Sequence, residues 1–477
     1  MRALVRALPG NVWFLAITVL VEIVLAGIVF FLLPTVYALA AIAALIVAVI
    51  VPFKPEIGLY LYLAAVSFWD IPLTSAGRGL PDIRFPDVFF LLTAFAWGAR
   101  AVSQQKFSLR LSGWEGPLTV MWLYCVLTLF WVQNKLGGAF YMMRLTYAIT
   151  AMVLIVQITK ERDVLKWARR ALMFGAFLAS VIALGSFAHV MPKLIKTTQV
   201  SYFGMYRSAA LEVTPNFFAS FLSYTILLSL ALAATETRWR YKLLYLVGLL
   251  VIGMAFLTTL SRGSWIASTG AVCAMCLLAR RTRWLVIWSV VYGLAAFVII
   301  YILAVAFDYK PVTSTCSLVA QRAFTFLNPV AQEIPRRLEA WETSKKMFFD
   351  SPICGVGAGN WATNARNYGF YRLNLPHSLY WLILCEQGAV GFTIFTAVVA
   401  TLFWILWQGY QRAGEMDREF LAAAIGGCVT YFVGGMVYAY RFFELEFWVA
   451  MALGVSLAVI LKEESRKEEH DGTKQSA

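Results

Sequence analysis

The composition of this chain excludes water as its main solvent. It has 477 residues, of which 61% are hydrophobic and only 14% are charged, and its mean hydropathy is +0.72, whereas a soluble domain carries about 25% charged residues. The formal net charge of +14 belongs to basic residues scattered over many polar segments, so we expect attraction to anionic membrane lipids and no nucleic-acid partner.

Long apolar runs predict an all-α, polytopic bundle of about 14 transmembrane helices. A helix of about 20 apolar residues spans the hydrocarbon core, where only helices or closed barrels satisfy their own backbone. The predicted helices cover residues 12–33, 35–53, 57–69, 86–102, 116–132, 139–158, 170–190, 215–234, 242–260, 264–279, 284–307, 378–407, 420–440 and 442–461. The third run is short for a span. The first is too long for the apolar region of a signal peptide, so we expect it to remain as a helix.

The distribution of lysine and arginine predicts the orientation of these helices. With both termini in the cytoplasm, 23 of the 40 basic residues lie in the inner segments, and nine lie in the short outer ones. This excess is the one that the positive-inside rule requires. We therefore expect one transmembrane domain over residues 1–461, a long periplasmic loop over 308–377 within it, and a disordered cytoplasmic tail over 462–477.

The long outer loop is expected to contain short helices. Pro335 and the following "RRLEAWETSKKMFF" predict an amphipathic helix that ends at "DSP", with Leu338 and Trp341 on its packed side. The later "GVGAGNW" at 355–361 imitates a nucleotide-binding loop, but no strand precedes it and no Lys-Ser or Lys-Thr pair follows it. Its glycines therefore predict tight turns.

The predicted outer face collects a histidine and several arginines. They are Arg207, Arg262, Arg337, Arg441 and His377. Each alone has a simple explanation, because arginines at helix ends often anchor to the membrane surface and a single interfacial histidine can be structural. Together they suggest chemistry, since guanidinium forks suit phosphate oxygens and an imidazole suits proton abstraction from a hydroxyl.

Two further charges are predicted to lie inside the membrane. Arg144 lies near the outer end of its helix, and Glu386 precedes Gly388 and Gly391, which predict a bend or close helix packing. Intramembrane charges are functional candidates by default, although Arg144 could equally reach the membrane surface. No histidine pair has a metal-binding spacing, so we expect neither a metal nor another cofactor.

The motifs at these residues resemble those of the bacterial O-antigen ligase and O-antigen polymerase family. Residues 207–392 carry the resemblance, and the outer-loop segment "RLEAWETSKKMFFDSPICGVGAGNW" matches the pattern of that family as well. The three motifs are "R…PN.fAs" from Arg207 to Ser220, "SRGsw" from Ser261 to Trp265, and "PHslyl…E.G..G" from Pro376 to Gly391.

The resemblance implies a GT-C-like glycosyltransferase of the bacterial inner membrane. Such an enzyme moves a glycan from undecaprenyl diphosphate to an acceptor hydroxyl at the periplasmic face, without a metal and with inversion. Carried over to this chain, it makes His377 the base, and Arg207 and Arg262 the ligands of the diphosphate. The secondary candidates are Arg337, Arg441, Arg144 and Glu386.

The acceptor stays open at this stage. A ligase uses the lipid A core, a polymerase of O-antigen or exopolysaccharide uses a second lipid-linked glycan, and related oligosaccharyltransferases use a protein hydroxyl. A polysaccharide-lipid flippase or transporter is the alternative from another class, and a scaffold of an export complex is a third. Transporters place substrate near the bilayer midplane between repeated halves, whereas the polar residues of this chain crowd its outer face.

Overall fold

The computed structural model describes most of the chain between residues 50 and 475. The described ranges are 50–68, 83–103, 109–187, 198–200, 206–208, 214–308, 333–371, 375–438 and 444–475, with residues 313 and 317. The predicted helix 12–33 and nearly all of 35–53 lie outside them. Residues 50–59 and 89–103 belong to one compact unit, in which Arg100 pairs with Glu56 at 3.5 Å, and the other described residues belong to a second unit.

The described residues are overwhelmingly helical. Their helices are α1 (Pro55–Ala65), α2 (Phe85–Ser103), α3 (Glu115–Thr128), α4 (Lys135–Ile158), α5 (Arg162–Phe187), α6 (Pro215–Thr235), α7 (Trp239–Thr258), α8 (Arg262–Leu278), α9 (Arg280–Ala306), α10 (Glu333–Asp350), α11 (Trp361–Asn367), α12 (Leu379–Arg412), α13 (Glu415–Val437) and α14 (Leu445–Gln475). Between α5 and α6, β1 (Thr198–Val200) and β2 (Tyr206–Ser208) pair antiparallel. This small ribbon is an addition to the predicted all-α fold.

Nine of the helices in the described ranges are long and apolar enough to cross a membrane. They are α2, α4, α5, α6, α7, α9, α12, α13 and α14. Three more predicted spans are present as the shorter helices α1, α3 and α8, of 11, 14 and 17 residues. The structure therefore supports a polytopic helical bundle, while the count of about 14 stays a prediction.

Helix α13 packs closely against four other helices, α6, α8, α12 and α14. Small residues allow this packing, because a Cβ on Gly426 would lie 3.0 Å from the carbonyl oxygen of Ala271 in α8. Another on Gly435 would lie 3.1 Å from Leu379 at the start of α12. Glycine and alanine are typical of such tight contacts between membrane helices. The last turn of α13 is consequently held against the first turns of its neighbours.

The chain beyond residue 461 is not the disordered tail that its charge predicts. Helix α14 continues to Gln475. Arg110 donates to both carboxylate oxygens of Glu463 at 2.7 Å, and Arg162 donates to those of Glu464 at 2.8 and 2.6 Å. These two-pronged charge-assisted bonds tie the start of the extension to distant segments, which explains why a polar sequence keeps its helical form here.

The outer loop and α12 share backbone hydrogen bonds at Gly388, where α12 is kinked. Gly388 has φ 66° and ψ −169°, so the ordinary helical bonds are interrupted there. The carbonyls of Cys385 and Glu386 accept from the N–H groups of Val356 and Gly357 at 2.9 and 2.7 Å. Beyond the kink, the N–H groups of Ala389 and Val390 donate to the carbonyls of Pro352 and Ile353 at 2.8 and 3.2 Å. We call these four bonds the loop–helix clamp.

The carboxylate of Glu386 extends the loop–helix clamp to the glycine-rich turn. It is only 3% exposed and accepts from the backbone N–H groups of Gly359 and Trp361 at 2.9 and 2.8 Å. The expected tight turns are confirmed, since Gly355, Gly357 and Gly359 have φ of 67°, 95° and 73°. The bend predicted at Gly388 is confirmed as well.

The clamp also fixes helix α10 against the outer part of α12. Trp361, which is fully buried, packs with Ala340, Met347 and Leu382, and its indole N–H donates to Ser344 Oγ at 2.8 Å. The helix predicted after Pro335 is therefore present, and it lies against the bundle. Leu338 is 54% exposed and does not belong to the packed face, because Ala340, Ser344 and Met347 occupy that side.

We predict that Gly388→Ala destabilises the protein by at least about 2 kcal/mol, because a strained left-handed residue costs about 1 to 3 kcal/mol before any collision. The added Cβ would in addition lie 2.2 Å from the carbonyl oxygen of Ile353. Thermal unfolding of the purified protein in detergent measures the effect. Gly253→Ala in α7 is the control, since its Cβ would meet nothing within 4 Å; equal midpoints for the two variants would contradict the prediction.

Candidate functional site

Three helices, α6, α8 and α12, begin near one another at the predicted outer end of the bundle. The residue at the start of α6, Thr214, has its hydroxyl 3.3 Å from that of Tyr438, which follows α13. The ring of Tyr438 also lies 5.8 Å from that of His377, just before α12. The hydroxyl of Ser261 donates to the side-chain oxygen of Asn216 in α6 at 2.9 Å. Ser261 directly precedes α8. We call this group of residues the outer cluster.

Two predicted arginines approach the outer cluster from different elements. Arg262 is the first residue of α8, and the next residue, Gly263, backs so closely on α13 that a Cβ would lie 2.9 Å from the side chain of Val437. Arg337 of α10 donates to the carbonyl of the same Val437 at 2.9 Å. The structure thus brings His377, Arg262 and Arg337 to the last turn of α13.

The electrostatics of this end favour a negatively charged ligand. The first turn of a helix presents N–H groups without intrahelical acceptors and carries about half a positive charge. Here α6, α8 and α12 all start at the outer cluster, Arg262 is the first residue of α8, and the guanidinium of Arg337 contacts the end of α13. Phosphates bind readily at such helix N-termini.

His377 has a strained backbone. Its φ is +51°, and Leu260 has the same value. Each of the two residues directly precedes a serine at the N-terminal cap of a helix, Ser378 for α12 and Ser261 for α8. A non-glycine residue in this conformation costs about 1 to 3 kcal/mol and is held there by its surroundings, most often at functional sites. The strain therefore marks both helix starts of the outer cluster.

Tyr438 is the central residue that the sequence analysis missed. Its ring packs edge-on against that of Phe217 at 5.5 Å and beside His377. Burial raises the pKa of Tyr438 to about 12, although its hydrogen bond to Thr214 acts in the opposite direction. The phenol is therefore protonated at neutral pH. The available signal was an aromatic residue at the outer end of a span, directly before the arginine-containing turn.

Arg207, Arg441 and Arg144 are not assigned to the outer cluster by the structure. The backbone of Arg207 lies in β2 opposite Gln199, in a ribbon that packs beside α5 and α7. Arg441 lies outside the described residues. Arg144, in α4, interacts electrostatically with Asp87, to which Tyr147 is hydrogen-bonded. Its charge is thus used in another polar cluster.

Glu386 contacts the backbone of the outer loop, and the described residues contain no metal-binding group of side chains. Glu386 accepts two backbone N–H groups of the outer loop, so it shapes the support of α10 and α12. Within the ranges that the structure describes, no group of three or more histidine, cysteine, aspartate or glutamate side chains could hold a metal ion.

Part of the chain matches the model of a known protein family. A family model described as O-Antigen ligase matches residues 246–396, which include the motif at Ser261 to Trp265, helix α10 and the motif at Pro376 to Gly391. None of the curated proteins compared with the chain matches it. The family match confirms the resemblance seen in the motifs. Together with the apolar helices, it supports a membrane glycosyltransferase-like function in general.

We predict that His377→Ala is less stable than His377→Gly by about 1 kcal/mol, because a left-handed backbone costs alanine about 1 to 2 kcal/mol and glycine almost nothing. Both variants lose the same ring contact with Tyr438, so the difference isolates the backbone. Unfolding midpoints of the two purified variants measure it. At most positions alanine is more stable than glycine. If the alanine variant were the more stable one here too, residue 377 would not keep its φ of +51°.

Proposed function

We propose that this chain, whose residues 246–396 match the O-antigen ligase family, transfers a glycan from undecaprenyl diphosphate to an acceptor hydroxyl at the periplasmic face of the bacterial inner membrane. The observation that carries the proposal is the outer cluster itself. His377, Arg262 and Arg337 come from three separate elements and approach one turn of α13. That arrangement pairs an imidazole, which can act as a base, with an anion-binding group.

The diphosphate of the donor is bound by Arg262 and by the N-terminal turns of α6, α8 and α12. Arg207 is proposed as a second phosphate ligand, on the strength of its place in the motif. Negative charge gathers on the diphosphate as it leaves, and fixed donors in a partly dry site stabilise that charge. The two-pronged guanidinium contact can thereby replace a divalent ion.

His377 acts as the general base of the transfer. The acceptor oxygen forms a bond with the anomeric carbon while its proton moves to the imidazole. The bond between that carbon and the diphosphate oxygen breaks, and its electron pair leaves with the phosphate. Attack opposite to the leaving group inverts the anomeric configuration. The ring of Tyr438, 5.8 Å away, orients the imidazole as a positioning residue.

The predicted topology agrees with a lipid-linked donor at the outer leaflet. The excess of basic residues in the inner segments predicts that the outer cluster faces the periplasm. An undecaprenyl-linked glycan can reach it there from the membrane. The acceptor is the lipid A core for a ligase or a second lipid-linked glycan for a polymerase. Both offer a sugar hydroxyl to the same base.

We predict that His377→Ala lowers the transfer rate by about 10²- to 10⁴-fold, which is the usual contribution of a general base. Arg262→Lys is expected to lose about 10²-fold, because an ammonium cannot replace the two-pronged contact to the leaving phosphate. The measurement is mass spectrometry of the product from an undecaprenyl diphosphate glycan offered with lipid A core and, separately, with a second lipid-linked glycan.

Arg412→Lys is the control for the arginine variant, since Arg412 ends α12 at the opposite end of the helix. It should transfer at the wild-type rate. Full activity of folded His377→Ala would refute the assignment of the base. Wild-type protein that forms no product with either acceptor would favour a flippase or a scaffold.

We predict that transfer continues in the presence of EDTA, because guanidinium groups and helix N-termini supply the charge that a divalent ion would otherwise supply. The assay compares initial rates of the purified protein with and without the chelator, and then with added Mg²⁺. A rate that falls in EDTA and returns with Mg²⁺ would contradict the role given to Arg262.

A further inference from the structure

A large groove lies at the end of the bundle opposite to the outer cluster. It has a volume of about 940 Å³ and runs between α5 and α7, beside the end of α6. Both α6, which starts at the outer cluster, and α7, which ends just before Ser261, cross the bundle to reach it. Ligand pockets of proteins have volumes of about 300 to 1,000 Å³, so the groove is large enough for a sizeable ligand.

The walls of the groove change from basic to apolar along its length. On α5, the lining residues Lys166, Arg170, Phe174 and Phe177 follow one another at spacings of four or three residues, which places them on one helix face. They span about 16 Å along the helix axis, at 1.5 Å per residue. Arg238 adds a further basic group at the mouth. The groove thus has a charged mouth and an apolar floor.

The opposite wall, on α7, repeats this order. Tyr241 lies near the mouth, and Leu244 and Val247 line the apolar part. Trp167 of α5 lies beside Arg170, whose guanidinium carbon is 5.0 Å from the indole ring. Tyrosine and tryptophan concentrate at the level of lipid headgroups. The side chains therefore place the mouth at the membrane surface and the floor at the depth of the acyl chains.

The charges at the mouth are not balanced within the groove. Three basic residues, Lys166, Arg170 and Arg238, face one acidic residue, Glu236, which leaves two positive charges. Arg170 lies 3.4 Å from Glu236 and also interacts with the side chain of Tyr245. Its Nε–H is buried, and the described residues provide no acceptor for it. A buried cationic donor requires an acceptor.

We propose that this groove binds an anionic phospholipid of the cytoplasmic leaflet, with the phosphate at Arg170, Lys166 and Arg238 and an acyl chain along Phe174 and Val247. Basic pockets between membrane helices on the cytoplasmic side are suited to such headgroups. The exposed apolar walls favour a lipid over a small soluble anion, since Phe174 is 57% exposed and Val247 45%. This site is independent of the transfer reaction.

The test is native mass spectrometry of the full-length protein in detergent, titrated with phosphatidylglycerol or with phosphatidylcholine of the same acyl chains. We expect the wild type to retain phosphatidylglycerol preferentially. The double variant Lys166→Ala and Arg238→Ala should bind it about 30-fold more weakly, since each basic residue near the membrane surface contributes about fivefold. The matched control, Arg240→Ala with Lys242→Ala, removes two charges from the first turn of α7 that do not line the groove.

A second variant tests the groove apart from its charge. Val247→Trp fills the apolar floor, so it should also lose phosphatidylglycerol, whereas general attraction between a basic surface and an anionic lipid would leave binding unchanged. Three results would overturn the proposal: equal binding of the two lipids, equal loss in the two double variants, or no lipid bound because another part of the chain occupies the groove. Monodisperse gel filtration confirms that each variant is folded.

Discussion

The loop–helix clamp is the interaction on which the candidate site depends. A kink in a membrane helix leaves carbonyl and N–H groups without partners, and each such group costs several kcal/mol in hydrocarbon. At Gly388 the outer loop supplies partners for residues 385, 386, 389 and 390. The loop cannot leave without exposing these groups, so a long polar segment becomes part of the bundle. The clamp fixes the start of α12, and with it His377, relative to α10 and Arg337.

Strain and close packing at the outer cluster follow from the same support. A left-handed histidine costs about 1 to 3 kcal/mol, and this cost is tolerated only where the chain on both sides is held firmly. The clamp holds α12 on one side of His377, and small residues of α13 allow close contact with Leu379. The transfer that we propose requires an imidazole and a guanidinium to be oriented against one leaving group, and this lack of freedom favours such orientation.

Hydropathy predicted the helices, and the motifs indicated His377 and Arg262 as site candidates, because both signals are local in the sequence. Tyr438 was missed because its partners lie on other helices, and no periodicity encodes a hydrogen bond between Tyr438 and Thr214. The helical tail was missed for the same reason. The ion pairs of Glu463 and Glu464 join residues that are 353 and 302 positions apart in the sequence. Glu386 was placed correctly at a bend, but its N–H partners became visible only in the structure.

The orientation of the helices links the topology of the chain to the chemistry of the outer cluster. Because α6, α8 and α12 begin there, their negative C-terminal ends lie at the other end of the bundle, where basic residues stabilise the ends of α8 and α12. At the end of α8, Arg283 donates to the carbonyls of Cys276 and Leu277 at 2.7 and 3.3 Å, and Arg412 ends α12. Two of the basic residues that predict a cytoplasmic face, Arg283 and Arg412, thus also lie at helix C-termini. The same helix direction leaves three N-termini at the predicted outer face, so the charge pattern that predicts the topology agrees with the phosphate site that we propose there.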